Sequence, residues 1–134
     1  MNFKPNDKFN PAFVEIRFFP NYYNQKGKKC IDVLKTLTYT SKDGQEWTVP
    51  EGFESDAASI PKWAQKFIGE PLEGDTLRAV LVHDVYCAYK TKSQKDTHRV
   101  FREIMKHDGV NLVTRNLMYQ AVKAYNRFKN PGWE

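Results

Sequence analysis

The chain has 134 residues, of which 40% are hydrophobic and 28% charged, with a formal net charge of +5 and two cysteines. This length fits one globular domain over residues 1–134 and is too short for two ordinary domains. No apolar run approaches the roughly 20 residues of a membrane span, and the polar first ten residues lack a signal-peptide core. We therefore expect an intracellular protein in which Cys30 and Cys87 are reduced thiols.

The first half of the sequence predicts β-structure after a loose arm over residues 1–11. Residues 13–19 alternate apolar and charged side chains, which is typical of a strand with one buried face. The β-branched stretch 30–40 predicts a second strand. Asp43-Gly44 is a hairpin signal, and residues 46–49 are expected to return as the third strand. Residues 12–50 should therefore form a small antiparallel sheet of about three strands.

The second half, residues 60–129, shows helical spacing of its apolar side chains. It predicts helices over residues 61–68, 73–90, about 94–107 with Ser93 as the cap, and 113–128. The expected inward-facing residues of these helices are Leu77, Leu81 and Ala88, then His98, Phe101, Ile104 and Met105, and finally Leu117, Met118, Ala121, Val122 and Tyr125. A small sheet followed by three or four helices is an α+β fold.

A polar pair, His83-Asp84, interrupts the apolar helical run 77–89. Burying either side chain without partners is costly in free energy. Asp56 and Ser59 lie upstream in the segment E-S-D-A-A-S-I-P. His98 lies on the next helix at a similar distance from the short connecting turn, so antiparallel packing would set it opposite the pair. These side chains are predicted to converge on one polar site.

Two metal chemistries fit such a site. Asp84 and Asp56 could hold a hard cation such as Ca²⁺, with His83 as the general base for a water molecule. Alternatively, His83 and Cys87 share one helix face at i, i+4 spacing and could bind Zn²⁺ together with His98.

A third interpretation of the same residues is structural. The polar groups then hydrogen-bond only to one another and fix the loop against the helices, with Ser59 as a helix cap and Cys87 as a small buried residue. Two basic features are expected to be solvated surface, which disfavours a nucleic-acid partner: Tyr22 and Tyr23 beside Lys26, Lys28 and Lys29, and a helix side with Arg115, Lys123, Arg127 and Lys129.

Two motifs carry a resemblance to a known family. The segment G-F-E-S-D-A-A-S-I-P at residues 52–61, followed by V-L-V-H-D-V-Y at residues 80–86, resembles the domain of unknown function 1353 family, over residues 49–128. Its members look like small phage and prophage proteins. The resemblance implies a phage origin, a location in the host cytoplasm or the virion, and a host or phage protein as partner. Where the family usually has Ala-Asp, this chain has Thr97-His98.

A more distant likeness is to the site of secreted phospholipase A2, whose helix carries H-D-x-x-Y. His83 and Asp84 match, and Tyr86 comes one residue early. The likeness implies a His base and a Ca²⁺-binding Asp, with His98 in place of a third acid. It does not extend to the glycine-rich calcium loop, unless the Asp56 segment replaces it.

These observations lead to one hypothesis and one alternative. The hypothesis is a metal-dependent hydrolase acting on an ester, amide or phosphodiester. Its catalytic residues would be His83, Asp84 and His98, and its positioning residues Asp56, Ser59 and Tyr86. The alternative is a non-catalytic binding protein, such as a virion component or an inhibitor of a host defence factor.

Overall fold

The first half of the chain forms six short strands in two antiparallel sheets. The computed structural model describes residues 8–23, 29–68 and 74–134. One sheet has the order β1-β4-β5 and the other the order β2-β3-β6. The strand bounds are Phe9–Asn10 (β1), Ile16–Tyr23 (β2), Lys29–Val33 (β3), Leu37–Thr40 (β4), Glu46–Val49 (β5) and Glu54–Ser55 (β6).

The predicted strand 30–40 is divided into β3 and β4, which belong to different sheets. Alternate residues point to one face of a strand, so Ile31, Val33, Leu37 and Tyr39 would share that face with Lys35. A straight strand would bury the Lys35 ammonium. Instead residues 34–36 are exposed and the chain bends there, while the four apolar side chains are buried. The sheet predicted as one is therefore two.

Four helices form the second half, so the α+β prediction is confirmed. They are α1 (Lys62–Ile68), α2 (Leu77–Tyr89), α3 (Gln94–His107) and α4 (Leu112–Lys129), with a 3₁₀ turn before α2. Ser93 caps α3 as predicted, because its side chain accepts a hydrogen bond from the Asp96 N–H at 3.1 Å. The loose arm predicted at the start is wrong for Phe9–Asn10, which pair with β4; residues 1–7 lie outside the described residues.

Helix α2 is the centre of the molecule. All ten residues from Leu77 to Tyr86 are buried, because β5 and α3 pack against different sides of the helix. A helix that is covered all round needs no polar face. The predicted single stripe is therefore wrong, and Ala88, assigned to it, is exposed.

Helices α3 and α4 are amphipathic and join through a short turn at residues 108–111. The four predicted inward residues of α3 are buried. On α4, Met118, Ala121 and Val122 are buried, whereas Leu117 and Tyr125 are only half-buried. None of the helices in the described part of the chain has the length and apolar character required to cross a membrane.

Candidate functional site

The Asp84 carboxylate fastens the loop between β6 and α1 to the central helix. The Ser55 hydroxyl donates to Asp84 Oδ2, and the Ser59 hydroxyl donates to Asp84 Oδ1. The Ser59 backbone N–H also donates to Oδ1, at 3.2 Å. All three residues are buried, so these bonds satisfy a carboxylate that would be costly to bury alone.

The fastened loop has an unusual backbone conformation. Ala57 has φ +61°, in the left-handed region, which costs a residue with a side chain roughly 1–2 kcal/mol. The serines bound to Asp84 lie on either side of Ala57. The Asp56 Oδ1 accepts from the Ala58 N–H at 2.9 Å, which is the turn-forming role expected from the structural interpretation.

His83 connects this loop to α3. Its side chain is fully buried. Its Nδ1 lies 2.9 Å from Ser59 Oγ, and its Nε2 lies 2.9 Å from His98 Nδ1. The Phe101 ring packs beside the imidazole, with ring centroids 4.6 Å apart. Asp84, Ser59, His83 and His98 therefore form one continuous chain of hydrogen bonds.

An ionised Asp84 fixes the direction of these hydrogen bonds. A carboxylate only accepts, and a neutral imidazole donates from one nitrogen and accepts at the other. Ser59 donates to Asp84, so His83 Nδ1–H donates to Ser59 Oγ. His98 Nδ1–H then donates to His83 Nε2. This assignment puts a lone pair on His98 Nε2, at the end of the chain. The same nitrogen lies 3.4 Å from Gln94 Oε1, an acceptor that would be served by the opposite tautomer, with Nε2–H donating.

Burial sets the protonation of all three ionisable groups. It lowers the pKa of His83 well below its usual value, and the nearby His98 adds to the effect. Burial, with a smaller contribution from Lys123, lowers the pKa of His98 to about 4. Burial raises the pKa of Asp84, although the Ser55 and Ser59 hydrogen bonds oppose the rise. Both histidines are therefore neutral at pH 7.

His98 lies at a pocket of about 470 Å³ between α3 and α4, which we call the His98 pocket. The segment that follows α4 closes one side of it. The Gln94 backbone N–H donates to the Glu134 backbone carbonyl at 2.8 Å. The Trp133 indole N–H donates to the Lys92 backbone carbonyl at 2.9 Å. The Trp133 ring meets the His98 ring edge-on, with centroids 5.8 Å apart. The pocket wall also includes Lys95, Tyr119, Lys123 and Arg127.

Sequence reasoning missed Trp133 as a wall of this pocket. The available signal was a large aromatic side chain placed after Pro131-Gly132, where the last helix has already ended. Such a residue, with an apolar ring and one N–H donor, is usually anchored against the fold rather than left in water.

A second, smaller pocket of about 270 Å³ lies at the other end of the hydrogen-bonded chain. It is lined by Ser55, Asp56, Ser59, Asp84 and Cys87, among others. The predicted residues therefore meet as a chain that runs between two pockets. His98 is on one pocket, the acids and serines are on the other, and His83 is buried between them.

Tyr86 is not part of this chain. Its oxygen accepts a hydrogen bond from the Thr48 N–H at 2.8 Å. Its ring packs edge-to-face on Trp47, with centroids 4.8 Å apart. Tyr86 thus attaches β5 to α2 and lines neither pocket.

Cys87 is a free thiol on the smaller pocket. Its sulfur lies 3.6 Å from His83 Nδ1 and 3.7 Å from Nε2. Nearly equal distances to both nitrogens place the sulfur over the ring rather than in line with a lone pair. Burial is the largest of the effects that raise the pKa of the thiol, so the site does not favour the thiolate that binds zinc.

Several donor atoms of the two predicted metal sets take part in hydrogen bonds within the protein. Over residues 8–23, 29–68 and 74–134, no group of three or more His, Cys, Asp or Glu side chains is placed to hold a metal ion. The oxygens of Asp84 accept from Ser55 and Ser59, and both nitrogens of His83 have hydrogen-bond partners. These donor atoms are therefore already engaged within the protein. The Ca²⁺ and Zn²⁺ sets stay predictions.

Fold and site together define a small α+β protein with a buried carboxylate joined to two neutral histidines. The model of the family described as "Protein of unknown function (DUF1353)" matches residues 31–122, more than half of the chain. The chain belongs to this family, as the motifs predicted. The matched segment includes Ser59, His83, Asp84 and His98 and ends before Trp133.

Two curated relatives come from Sinorhizobium fredii (strain NBRC 101917 / NGR234), and both are described as uncharacterized. Protein y4jT is 38% identical over 106 residues, which is 79% of this chain and 30% of the relative. Protein y4iH is 35% identical over 95 residues, 71% of this chain and 38% of the relative. The chain thus spans about a third of the length of these relatives. No solved structure matches it significantly.

Proposed function

We propose that this protein is a hydrolase in which His98 is the general base and Asp84, Ser59 and His83 are positioning residues. The observation that carries the proposal is the 2.9 Å contact between His98 Nδ1 and His83 Nε2. It leaves the other nitrogen, Nε2, at the pocket end of the chain, 3.4 Å from Gln94 Oε1, and Gln94 also lines the pocket. In the proposed reaction a water molecule replaces Gln94 Oε1 at this nitrogen. A base held by a second group is the recurring arrangement of acid–base catalysis.

The chain of hydrogen bonds gives the abstracted proton a route to the buried acid. Water in the pocket gives a proton to His98 Nε2, and the His98 Nδ1 proton passes to His83 Nε2. The His83 Nδ1 proton passes to Ser59 Oγ, and the Ser59 hydroxyl proton passes to Asp84 Oδ1. Asp84 gains one proton overall, both histidines stay neutral, and the hydroxide attacks the substrate. Reversal of the route returns the proton to the leaving group.

Electrostatics support this direction of transfer. The pKa of Asp84 is raised by burial, whereas burial lowers the pKa of both histidines. Lys95, Lys123 and Arg127 lie on the same pocket as His98. Positive charges fixed near the attacked bond stabilise the negative charge that develops on an ester, amide or phosphodiester.

The proposed general base differs from the one predicted from the sequence. His83 is fully buried and has no direct access to a substrate, so the base is assigned to His98. A divalent metal ion and a phage origin remain separate proposals. Elemental analysis of the protein and of the His83→Ala and Asp84→Ala variants tests the metal.

The first experiment measures hydrolysis of activated esters, amides and phosphodiesters at pH 7. We expect His98→Gln to lower kcat about 100-fold or more, with an unchanged circular dichroism spectrum. The matched control is His107→Gln, since His107 contacts Asp108 and lies outside the pocket. Absence of hydrolysis of every substrate, or equal activity in the two variants, contradicts the proposal.

A pair of serine variants separates proton transfer from simple fastening of the loop. Both hydroxyls donate to Asp84, but only Ser59 also contacts His83. We expect Ser59→Ala to lower kcat at unchanged KM, and Ser55→Ala to retain most of kcat. If both variants lose stability and activity alike, the chain of hydrogen bonds acts only on the fold.

The second candidate is the non-catalytic binding protein, with a host or phage protein as partner. The observation that favours it is that Asp84 and His83 are already satisfied inside the protein and tie β6, the loop, α2 and α3 together. It predicts no hydrolysis. It also predicts that Ser59→Ala and Asp84→Asn lower the free energy of unfolding while soluble protein still binds its partner.

A further inference from the structure

A row of basic side chains follows the groove between α3 and α4 along its whole length. We call these residues and Tyr119 the basic groove. Three of its cations lie at the His98 pocket, and four lie at a third pocket of about 310 Å³ at the other end. The seven cations are Lys95, Arg99, Arg102 and Lys106 on α3, and Arg115, Lys123 and Arg127 on α4.

Helix geometry explains why these side chains form a row. Residues three or four apart share one face of a helix, and both sets follow that spacing. On α4 the groove residues recur every four positions, at 115, 119, 123 and 127. Tyr119 occupies the second of these positions, and cations occupy the other three. The row on α4 is about 18 Å long at 1.5 Å per residue.

Tyr119 joins the two ends of the groove. The Arg102 guanidinium lies 5.4 Å from the centre of its ring, and the Lys123 ammonium lies 4.9 Å from it. Arg102 belongs to the outer pocket and Lys123 to the His98 pocket. The two pockets are therefore parts of one continuous basic surface with an aromatic ring at its middle.

Little of this charge is neutralised within the protein. Helix α4 contains no Asp or Glu. Within the described ranges, Arg99 is the one groove cation in a salt bridge, with Asp43 and Asp96. Glu103 lines the outer pocket, but it accepts hydrogen bonds from the Tyr39 hydroxyl and the Lys42 N–H. Glu134 lines the His98 pocket. The groove thus has seven cations against the two carboxylates of Glu103 and Glu134, and its net charge is positive.

We propose that the basic groove binds single-stranded nucleic acid, with phosphates on the cations and a base against Tyr119. A charged groove with aromatic side chains is the usual platform for single strands. A bilayer is flat and would meet the ridges of the two helices, whereas the cations line the recess between them. The inference goes beyond hydrolysis, because binding is measured without turnover.

The test is fluorescence anisotropy of a labelled 12-nucleotide oligothymidine over a range of salt concentrations. The groove variant is Arg102→Gln with Lys106→Gln, and both side chains are exposed. The matched control is Lys62→Gln with Lys66→Gln, which removes the same charge from exposed positions on α1. We expect the groove variant to bind at least 5-fold more weakly at 100 mM salt, and the control to bind within 2-fold of the unmodified protein.

The salt dependence identifies the phosphate contacts. Each lost contact with a single strand reduces the slope of log K against log salt by about 0.7, so we expect the groove variant to lose about 1.4. Tyr119→Ala should weaken binding about 5- to 150-fold if a base stacks there, whereas Tyr119→Phe should retain it.

Four results would overturn the proposal. The first is that the protein does not bind the oligonucleotide at 50 mM salt, and the second is that the groove and control variants are weakened equally. The third is that duplex binds more tightly and Tyr119→Ala has no effect. The fourth is that the protein binds anionic vesicles but not the oligonucleotide. The assay is repeated in His98→Gln. Binding there without hydrolysis separates a failure of the proposed catalysis from a failure of the groove.

Discussion

His83 Nε2 lies 2.9 Å from His98 Nδ1, and this contact joins the buried centre of the molecule to the wall of its larger pocket. The two rings lie on adjacent helices with centroids 5.1 Å apart. Because burial lowers the pKa of both, neither ring carries a charge near pH 7. The contact is therefore a hydrogen bond between two neutral imidazoles.

Stability should fall on mild acidification. The pKa of His98 is about 4 in the folded state and about 6.5 in an unfolded chain. The unfolded state binds more protons between these values, so the free energy of unfolding decreases as pH falls from 6.5 to 4. His83 contributes in the same direction. The raised pKa of Asp84 acts in the opposite direction. The stability that Asp84 contributes is fully present below pH 3.8 and is lost as pH rises through its pKa in the folded state.

Urea unfolding at pH 7, 6 and 5 measures this dependence. We expect the protein to lose stability more steeply than His98→Gln, by up to about 1.4 kcal/mol per pH unit in the window. His107→Gln is the control and should keep the steep slope. Parallel slopes for the protein and His98→Gln would contradict the assigned protonation of His98.

Removal of the Trp133 ring should raise the pKa of His98 toward its usual value. Trp133 packs edge-on against the His98 ring, and burial is the largest cause of the lowered pKa of His98. We expect Trp133→Ala to raise the pKa of His98 toward 6.5, as followed by NMR of the imidazole protons. Trp63→Ala is the matched control, because Trp63 is 52% exposed and lies on α1. An unchanged His98 pKa in Trp133→Ala would show that Trp133 does not shield the ring.

The buried ion pair between Arg78 and Asp108 should dominate the electrostatic contribution to stability. Arg78 Nε donates to Asp108 Oδ2 at 3.0 Å, and a second guanidinium nitrogen donates to Oδ1. Both side chains are fully buried. We expect Arg78→Met to lower the free energy of unfolding by about 3–5 kcal/mol, because it leaves a buried carboxylate without its cation.

An exposed ion pair provides the control. Arg17 contacts Asp32 at 3.0 Å with 59% of its side chain exposed. Arg17→Met should change stability by about 1 kcal/mol or less. Chemical denaturation measures both variants, and comparable losses would mean that burial does not decide the effect.

Tyr86 should prove structural. Tyr86→Phe removes the acceptor of the Thr48 N–H, which should lower the free energy of unfolding by about 1–3 kcal/mol. Tyr89→Phe is the control, since Tyr89 is 61% exposed. Folded Tyr86→Phe should retain the hydrolysis and oligonucleotide binding of the unmodified protein. Loss of activity at unchanged stability would return Tyr86 to the site, where the sequence motif had put it.

The sequence by itself determined the fold class, the four helices and the family. Local signals are sufficient for these features, because hydrophobic spacing, the Ser93 cap and the Asp43-Gly44 turn act over a few residues. The sequence also predicted that Ser59, His83, Asp84 and His98 would meet. A short turn fixes the relative height of the two helices that carry the last three, and Ser59 lies in the segment that enters α1.

The tertiary structure decided what those residues contact. Helix α2 lacks a solvent-exposed face over most of its length, so its pattern did not reveal that His83 is buried between two pockets. Trp133 packs against His98 from a segment 35 residues farther along the chain, and the division of the sheet at Lys35 depends on which surface each half buries. The basic groove exists only when α3 and α4 lie side by side. Each of these features depends on packing between distant segments, for which the local pattern contains no signal.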